Sequence, residues 1–288
     1  MKITLGHSPD PDDAFMFYGI ASGEVTEDGL EFEQVLEDIE TLNRRALEES
    51  LDVTAVSIHA YAYLSDRYAL LPHGASFGDG YGPLVVSRRA LAPADLAGAT
   101  IAVPGELTSA FLAMRLFQPD FTPRVVPFDR IPQAVLDGEA DAGVLIHEGQ
   151  LTFAASGLHK VVDLGAWWKE DTGGLPLPLG GNAIRRALGP QVMAKVSSVL
   201  RRSIAYGLEK RGAALTYAER FGRGLDRQLA DRFVGMYVNE LTLDYGERGR
   251  EAVRRFLARG RASGLITVEP HVEFAAEPSP AAGAQSSG

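Results

Sequence analysis

Positions 47–58 read LEESLDVTAVSI, and positions 136–147 read LDGEADAGVLIH, so one pattern occurs twice in the chain. Each copy begins like the end of a helix, continues through an acidic turn and finishes in a short apolar run typical of a strand. The repeat therefore predicts two related lobes. The copies differ where the strand ends, because one finishes near Ser57 and the other at His147. Ligands of α/β proteins bind at that end of the strands.

The repeat extends towards the N-terminus of each half. Apolar strands are predicted at 2–6 and 100–104, and each runs through a polar loop into a helix that opens with polar cap residues. A second strand and a second helix follow in both halves. The order strand–helix–strand–helix–strand, present twice, predicts an α/β fold with mainly parallel sheets and right-handed crossovers.

A further pair of similar segments indicates how the lobes connect. Positions 82–91 read GPLVVSRRAL, and positions 177–188 read LPLGGNAIRRAL. We interpret these segments as paired crossing strands through which the chain leaves the first lobe and returns to it. The first lobe would then be discontinuous, comprising 1–88 and 177–274, with 89–176 inserted as the second lobe and a cleft between the two. The helices predicted after position 190 would pack on the first lobe.

Composition limits the classes of function. The chain has 288 residues, of which 45% are hydrophobic, enough for two medium-sized cores. A net charge of -10 disfavours nucleic acid and anionic membranes as partners. With no cysteine, disulfides, thiolate nucleophiles and cysteine-bound zinc are excluded. The sequence shows no signal peptide and no apolar run of membrane-spanning length, so we expect a cytoplasmic protein. The tail at 275–288 is predicted to be disordered.

Known motifs narrow the chemistry further. The sequence GASFG at 74–78 fits the hydrolase pattern G-x-S-x-G but lacks the strand before it and the helix after it. No Walker A or dinucleotide-binding sequence is present, and no histidines and carboxylates have metal-ligand spacing. We therefore expect a small-molecule substrate, no cofactor and no metal.

His147 has two interpretations. A histidine at a strand end can hydrogen-bond a neighbouring loop, or it can act as a base in the cleft that the repeat independently predicts. The coincidence with the cleft favours the catalytic interpretation. His7, at the end of the first strand, is the second candidate, and His59 is expected to be structural.

Polar groups from both lobes are expected around this histidine. Thr108 and Ser109 open a helix, so they could be ordinary caps, or the helix N-terminus could hold a carboxylate; the two interpretations are compatible. Ser57, with the backbone of Ala55 and Val56, would face them from the first lobe.

Two other groups of residues are interpreted from their positions in the predicted elements. Asp10, Asp12 and Asp13 precede or open the first helix, so we expect them to cap it and to complement its dipole. Trp167 and Trp168 fit either a lid or the core, and the sequence leaves both possibilities open.

Several segments together resemble a known family. They are SPDPDDAF at 8–15, LEDIETLN at 36–43, IHE at 146–148, VDLGAWW at 162–168 and GLPLPLG at 174–180. In combination they are similar to 1,4-dihydroxy-6-naphthoate synthase, the lyase of the futalosine route to menaquinone. The resemblance extends to about Leu265. Many members of that family have Cys and Asn where this chain has Asp10 and Asp12.

The resemblance implies a two-lobed fold like that of type II periplasmic solute-binding proteins. It also implies a cofactor-independent conversion of cyclic dehypoxanthinyl futalosine into 1,4-dihydroxy-6-naphthoate, with release of dihydroxyacetone. The family's catalytic histidine corresponds to His147. Its substrate contacts correspond to 55–57 (Ala55, Val56 and Ser57) and to Thr108 and Ser109.

Two rival functions share this architecture. Chorismate dehydratase belongs to the same pathway but is expected to lack a histidine at position 147. A solute-binding protein would be expected to carry an export signal. The oligomeric state is left open by the sequence.

Overall fold

The computed structural model describes residues 1–222 and 225–275, which form two β-sheets flanked by helices. The strands are β1 (Lys2–His7), β2 (Glu31–Leu36), β3 (Val53–Ser57), β4 (Tyr68–Leu70), β5 (Ser76–Gly78), β6 (Leu84–Ser87), β7 (Thr100–Val103), β8 (Thr122–Val125), β9 (Ala142–Leu145), β10 (His159–Asp163) and β11 (Leu177–Arg185). The helices are α1 (Pro11–Met16), α2 (Tyr18–Ala21), α3 (Ile39–Leu47), α4 (Ile58–Tyr61), α5 (Ser109–Phe117), α6 (Ile131–Leu136), α7 (Gly149–Thr152), α8 (Leu164–Asp171), α9 (Pro190–Glu209), α10 (Arg211–Ala218), α11 (Arg227–Tyr237), α12 (Glu240–Leu243) and α13 (Gly246–Ala262).

Each sheet contains a parallel unit of three strands. The first sheet has the order β2-β1-β3-β11-β4, with β5 also pairing to β11, and β1 is parallel to both β2 and β3. The second has the order β10-β6-β9-β7-β8, and β7 is parallel to both β8 and β9. Strands β11 and β6 run antiparallel to β3 and β9, respectively. The α/β fold with two related lobes is therefore confirmed.

The observed boundary between the lobes differs from the predicted one at β6. This strand hydrogen-bonds to β9 and β10, with Leu84 opposite Leu145, so it belongs to the second sheet although we expected 1–88 to lie in the first lobe. Strand β11 lies in the first sheet. The two similar segments, 82–91 and 177–188, thus contribute strands to different sheets and do not pair with each other. All four residues of β6 are buried, as suits a strand with neighbours on both sides.

The long C-terminal helices complete the first lobe. Helices α9, α10 and α11 pack against α1, and their shared apolar cluster includes Phe15, Leu200 and Val234. The chain then returns to the edge of the first sheet, where the N–H of Ala275 donates to the carbonyl of Leu70 at 2.7 Å. Ala275 is therefore part of the fold, and the rest of the predicted disordered tail, 276–288, lies outside the described residues.

Trp168 is a core residue and not a lid. Its side chain is fully buried, its indole N–H donates to the carbonyl of Pro176 at 3.1 Å, and its ring meets Phe256 of α13 edge-on at 5.3 Å. Trp167 is half-buried beside Phe117. The apolar cluster around Trp168 contains residues of both sheets, so the two lobes share one core. None of the helices within the described ranges is long and apolar enough to cross a lipid bilayer.

Candidate active site

A cavity lies between the two sheets, where β1, β3 and β9 end and α5 begins. The first lobe contributes Ser57 and Tyr237 to its wall, and the second contributes His147 and Gln150. The C-terminal ends of parallel strands meet here, which is the position that the repeat predicts for a ligand.

The structure places His147 in this cavity. It follows β9 with φ of +57°, a left-handed conformation that a non-glycine residue adopts at a cost of about 1–3 kcal/mol and that is common at functional sites. Its Nδ1 lies 3.1 Å from Oδ2 of Asp10, and the side chains are 17% and 2% exposed, respectively. The Phe128 ring packs edge-on against the imidazole at 4.7 Å. The histidine is thus held between two fixed neighbours.

The wall beside His147 is acidic. Asp12 and Asp13 line the cavity, and Oδ2 of Asp13 accepts the N–H of Ser8 at 2.7 Å. Oδ1 of Asp12 is buried and has no hydrogen-bond partner among residues 1–222 and 225–275. Burial raises the pKa of Asp12 well above its usual range, and the charges of Asp13 and Asp10 act in the same direction. Burial beside two other carboxyl groups therefore favours the protonated form of Asp12 more than exposure to water would.

Asp10 does not cap α1 as the sequence suggested. It occupies the N-cap position, but its side chain makes no hydrogen bond to the helix N–H groups. Its carboxylate is directed instead to the imidazole of His147. Across residues 1–222 and 225–275, no group of three or more histidines and carboxylates is arranged to hold a metal ion.

The opposite end of the cavity is the N-terminus of α5. Thr108 is a true cap, because its hydroxyl accepts the N–H of Phe111 at 3.2 Å and donates to the carbonyl of Gly105 at 2.7 Å. The Ser109 hydroxyl donates to the carbonyl of Leu179 at 2.6 Å. Both hydroxyls are therefore engaged within the protein. The N–H groups of Ser109 and Ala110 have no acceptor in the described part of the chain, as is usual for the first turn of a helix.

The three predicted residues of β3 fall on two sides of the strand. Ala55 and Ser57 line the cavity, whereas the Val56 side chain is fully buried in the shared core and only its backbone lies near the site. Ser57 is fixed by the buried Asn43, which accepts the Ser57 N–H at 2.8 Å and donates to its Oγ at 3.1 Å. The Ser57 hydroxyl hydrogen thus remains available to a ligand.

The other two histidines near the cleft have structural roles. Burial lowers the pKa of His59 to about 4, so it is neutral, and its Nδ1 donates to the carbonyl of Thr108 at 3.3 Å. This contact supports the N-terminus of α5. His7 is 1% exposed, lies beside Gln34 and packs on Phe17, and it is absent from the cavity wall.

The cleft is closed in this structure. Besides the contact between Asp10 and His147, the hydroxyl of Tyr237 donates to Oε1 of Gln150 at 2.8 Å, from α11 to α7. The bond from Ser109 to Leu179 also joins the lobes. Sequence reasoning missed Gln150 and Tyr237, because nothing in their local sequence distinguishes them from ordinary helix residues.

The fold is that of periplasmic binding proteins. The ligand-binding component of an ABC-type import system from Staphylococcus aureus superimposes with a TM-score of 0.72 over 96% of this chain and 97% of that chain, at only 9% identity. A crystal structure of an Archaeoglobus fulgidus protein is much closer in sequence, with 50% identity and a TM-score of 0.88 over 92% of this chain and 98% of that one. The class is therefore a two-lobed binding-protein fold with a closed cleft.

Comparison of sequences specifies the family. The model for menaquinone biosynthesis proteins matches residues 3–262. The 1,4-dihydroxy-6-naphthoate synthase of Thermus thermophilus is 44% identical over 94% of this chain and 98% of its own length. The protein of the same name from Streptomyces coelicolor is 39% identical over 92% of this chain and 94% of its own length. The chain belongs to the menaquinone biosynthesis family and is an enzyme, which confirms the resemblance found in the sequence.

Asn43 allows the support of Ser57 to be tested. Asn43→Ala removes both bonds to Ser57 and leaves a buried N–H without a partner, which costs about 1–3 kcal/mol. We expect the free energy of unfolding in urea to fall by that amount and KM to rise. Gln133→Ala, which alters an exposed amide on α6, should change stability by less than about 0.5 kcal/mol. Equal stability of the two variants would show that Asn43 does not hold Ser57.

Proposed function

We propose that the protein is a carbon–carbon lyase that converts cyclic dehypoxanthinyl futalosine into 1,4-dihydroxy-6-naphthoate with release of dihydroxyacetone. The two relatives named 1,4-dihydroxy-6-naphthoate synthase support this activity. The observation that carries it is the placement of His147, a residue able to accept a proton near neutral pH, inside a closed cleft between an acidic wall and a helix N-terminus. A cytoplasmic location is part of the same proposal.

The charge distribution of the cavity orients the substrate. The N–H groups of Ser109 and Ala110, at the positive end of α5, suit the aryl carboxylate. The wall that contains Asp12 and Asp13 repels a carboxylate but can bond to hydroxyl groups. The carbohydrate-derived part of the substrate would therefore lie beside His147, with Ser57 and Ala55 contributing contacts from β3.

The reaction then needs one proton acceptor at the correct place. Neutral imidazole of His147 takes the proton from a substrate hydroxyl, and that oxygen becomes a carbonyl oxygen as the adjacent carbon–carbon bond breaks. The electron pair of that bond passes to the departing three-carbon fragment, which takes a proton back from the imidazolium and leaves as dihydroxyacetone. Aromatisation of the second ring favours the products. The closed cleft excludes water from the intermediate.

Chorismate dehydratase and solute binding are the alternative functions. His147 in the cavity wall favours the lyase, because neither alternative is expected to use a histidine at this position. Incubation of the purified protein with the futalosine derivative and, separately, with chorismate distinguishes the three. The lyase releases dihydroxyacetone from the first and leaves chorismate unchanged, whereas a binding protein converts neither.

The role of His147 as the base is tested by His147→Asn. The amide is polar and of similar size but cannot accept a proton near neutral pH, so kcat should fall by about 10²–10⁴-fold. Turnover by His147→Asn within a few-fold of wild type would show that another group is the base.

The proposed carboxylate-binding site at the N-terminus of α5 is tested by a pair of variants at position 109. Ser109→Ala removes only the hydroxyl, whereas Ser109→Pro removes the hydroxyl and the N–H. Proline is tolerated at the first helical position, and the extended backbone of Thr108 is compatible with a following proline. Loss of a hydrogen bond to a charged group costs about 1.5–3 kcal/mol, so KM of the proline variant should exceed that of the alanine variant by about 10–100-fold.

The control for this pair is stability. Both variants lose the bond to Leu179, so their free energies of unfolding should be similar. Similar KM values for the two variants would refute the proposal that the Ser109 N–H binds the substrate carboxylate.

A further inference from the structure

We infer that Asp10 is a positioning residue for the catalytic base: it holds the imidazole of His147 with the proton on Nδ1, so that Nε2 is the atom that accepts the substrate proton. The inference rests on the proposed function, since it assigns an atom to the base. It is carried by the contact between Nδ1 and Oδ2 of Asp10 at 3.1 Å.

The chemistry of the pair determines the tautomer. An ionised carboxylate can only accept hydrogen bonds, so the ring nitrogen facing it must carry a hydrogen. A neutral imidazole carries one hydrogen, and Nε2 is left with a free lone pair. Nε2 has no hydrogen-bond partner within the described ranges, and His147 is part of the cavity wall. Nε2, the proton-accepting atom, is thus the ring nitrogen that is available to the substrate.

Asp10 occupies the N-cap position of α1, but its carboxylate does not cap that helix. Aspartate at an N-cap normally accepts an N–H of the first turn, and Asp226 at the start of α11 does so, accepting the N–H of Leu229 at 2.8 Å. Asp10 has the same extended backbone but makes no such bond. Its side chain, 2% exposed, lies against His147 instead.

The pair also connects the two lobes. Asp10 follows β1 of the first sheet, and His147 follows β9 of the second. The left-handed backbone of His147 and the Phe128 ring hold the imidazole at the end of β9. Asp10 therefore reaches the base when the lobes bring these two strand ends together, which couples proton abstraction to the closed cleft.

The test combines spectroscopy and kinetics on the full chain labelled with ¹⁵N-histidine. His147→Asn assigns the His147 signals by their disappearance. In the wild type near neutral pH, the ¹⁵N shifts should show a protonated Nδ1 and an unprotonated Nε2. In Asp10→Asn, whose amide can either donate or accept, this preference should be lost, and kcat should fall by about 10–100-fold with KM changed less than threefold, because substrate binding does not involve Asp10.

Asp226→Asn is the matched control, since it makes the same substitution at an N-cap remote from the cavity. It should leave both the His147 signals and kcat at wild-type values. A wild-type His147 with its proton on Nε2 overturns the inference, even if Asp10→Asn fails to fold. An unchanged kcat and tautomer in a folded Asp10→Asn variant overturns it as well. If the protein does not turn over the futalosine derivative, the proposed function fails. The ¹⁵N shifts still show whether Asp10 holds the His147 proton on Nδ1.

Discussion

The burial of the Asp10 carboxylate constrains the whole active site. A carboxylate that is 2% exposed is costly unless a hydrogen-bonding or charged partner compensates for lost hydration. His147 supplies one such partner from the other lobe, and this contact brings the acidic start of α1 to the end of β9. That meeting closes the cleft, and the bond between Tyr237 and Gln150 closes it at a second point. The contact between Asp10 and His147 is therefore part of both the proposed catalytic arrangement and the closed conformation.

The site is polarised along its length by elements from both lobes. The N-terminus of α5 presents unpartnered N–H groups at one end, and its geometry is maintained by the Thr108 cap and by neutral His59. The acidic wall forms the other end, where burial and the neighbouring carboxyl groups Asp13 and Asp10 raise the pKa of Asp12. A substrate with one carboxylate and several hydroxyls has a single favourable orientation in such a cavity. In the proposed mechanism, a binding-protein fold becomes an enzyme because a base is placed where the substrate hydroxyls would lie.

The sequence predicts those features that depend on local patterns. The repeat predicted both parallel units and the location of His147, and the alternation of residues in β3 accounts for Ala55 and Ser57 facing the cavity while Val56 enters the core. It did not predict that β6 joins the second sheet, because strand pairing is decided by neighbours distant in the chain. The pairing of Asp10 with His147 is also a long-range contact, and the same carboxylate at an N-cap is locally indistinguishable from a helix cap.

A crystal structure of the enzyme with 1,4-dihydroxy-6-naphthoate bound tests the central claim most directly, because it shows which end of the cavity receives which end of the ligand. The account predicts that the carboxylate accepts hydrogen bonds from the N–H groups of Ser109 and Ala110. A ring hydroxyl should lie within hydrogen-bond distance of Nε2 of His147, while Nδ1 stays on Asp10. A carboxylate bound beside His147, or a ligand with no contact to Nε2, would contradict it.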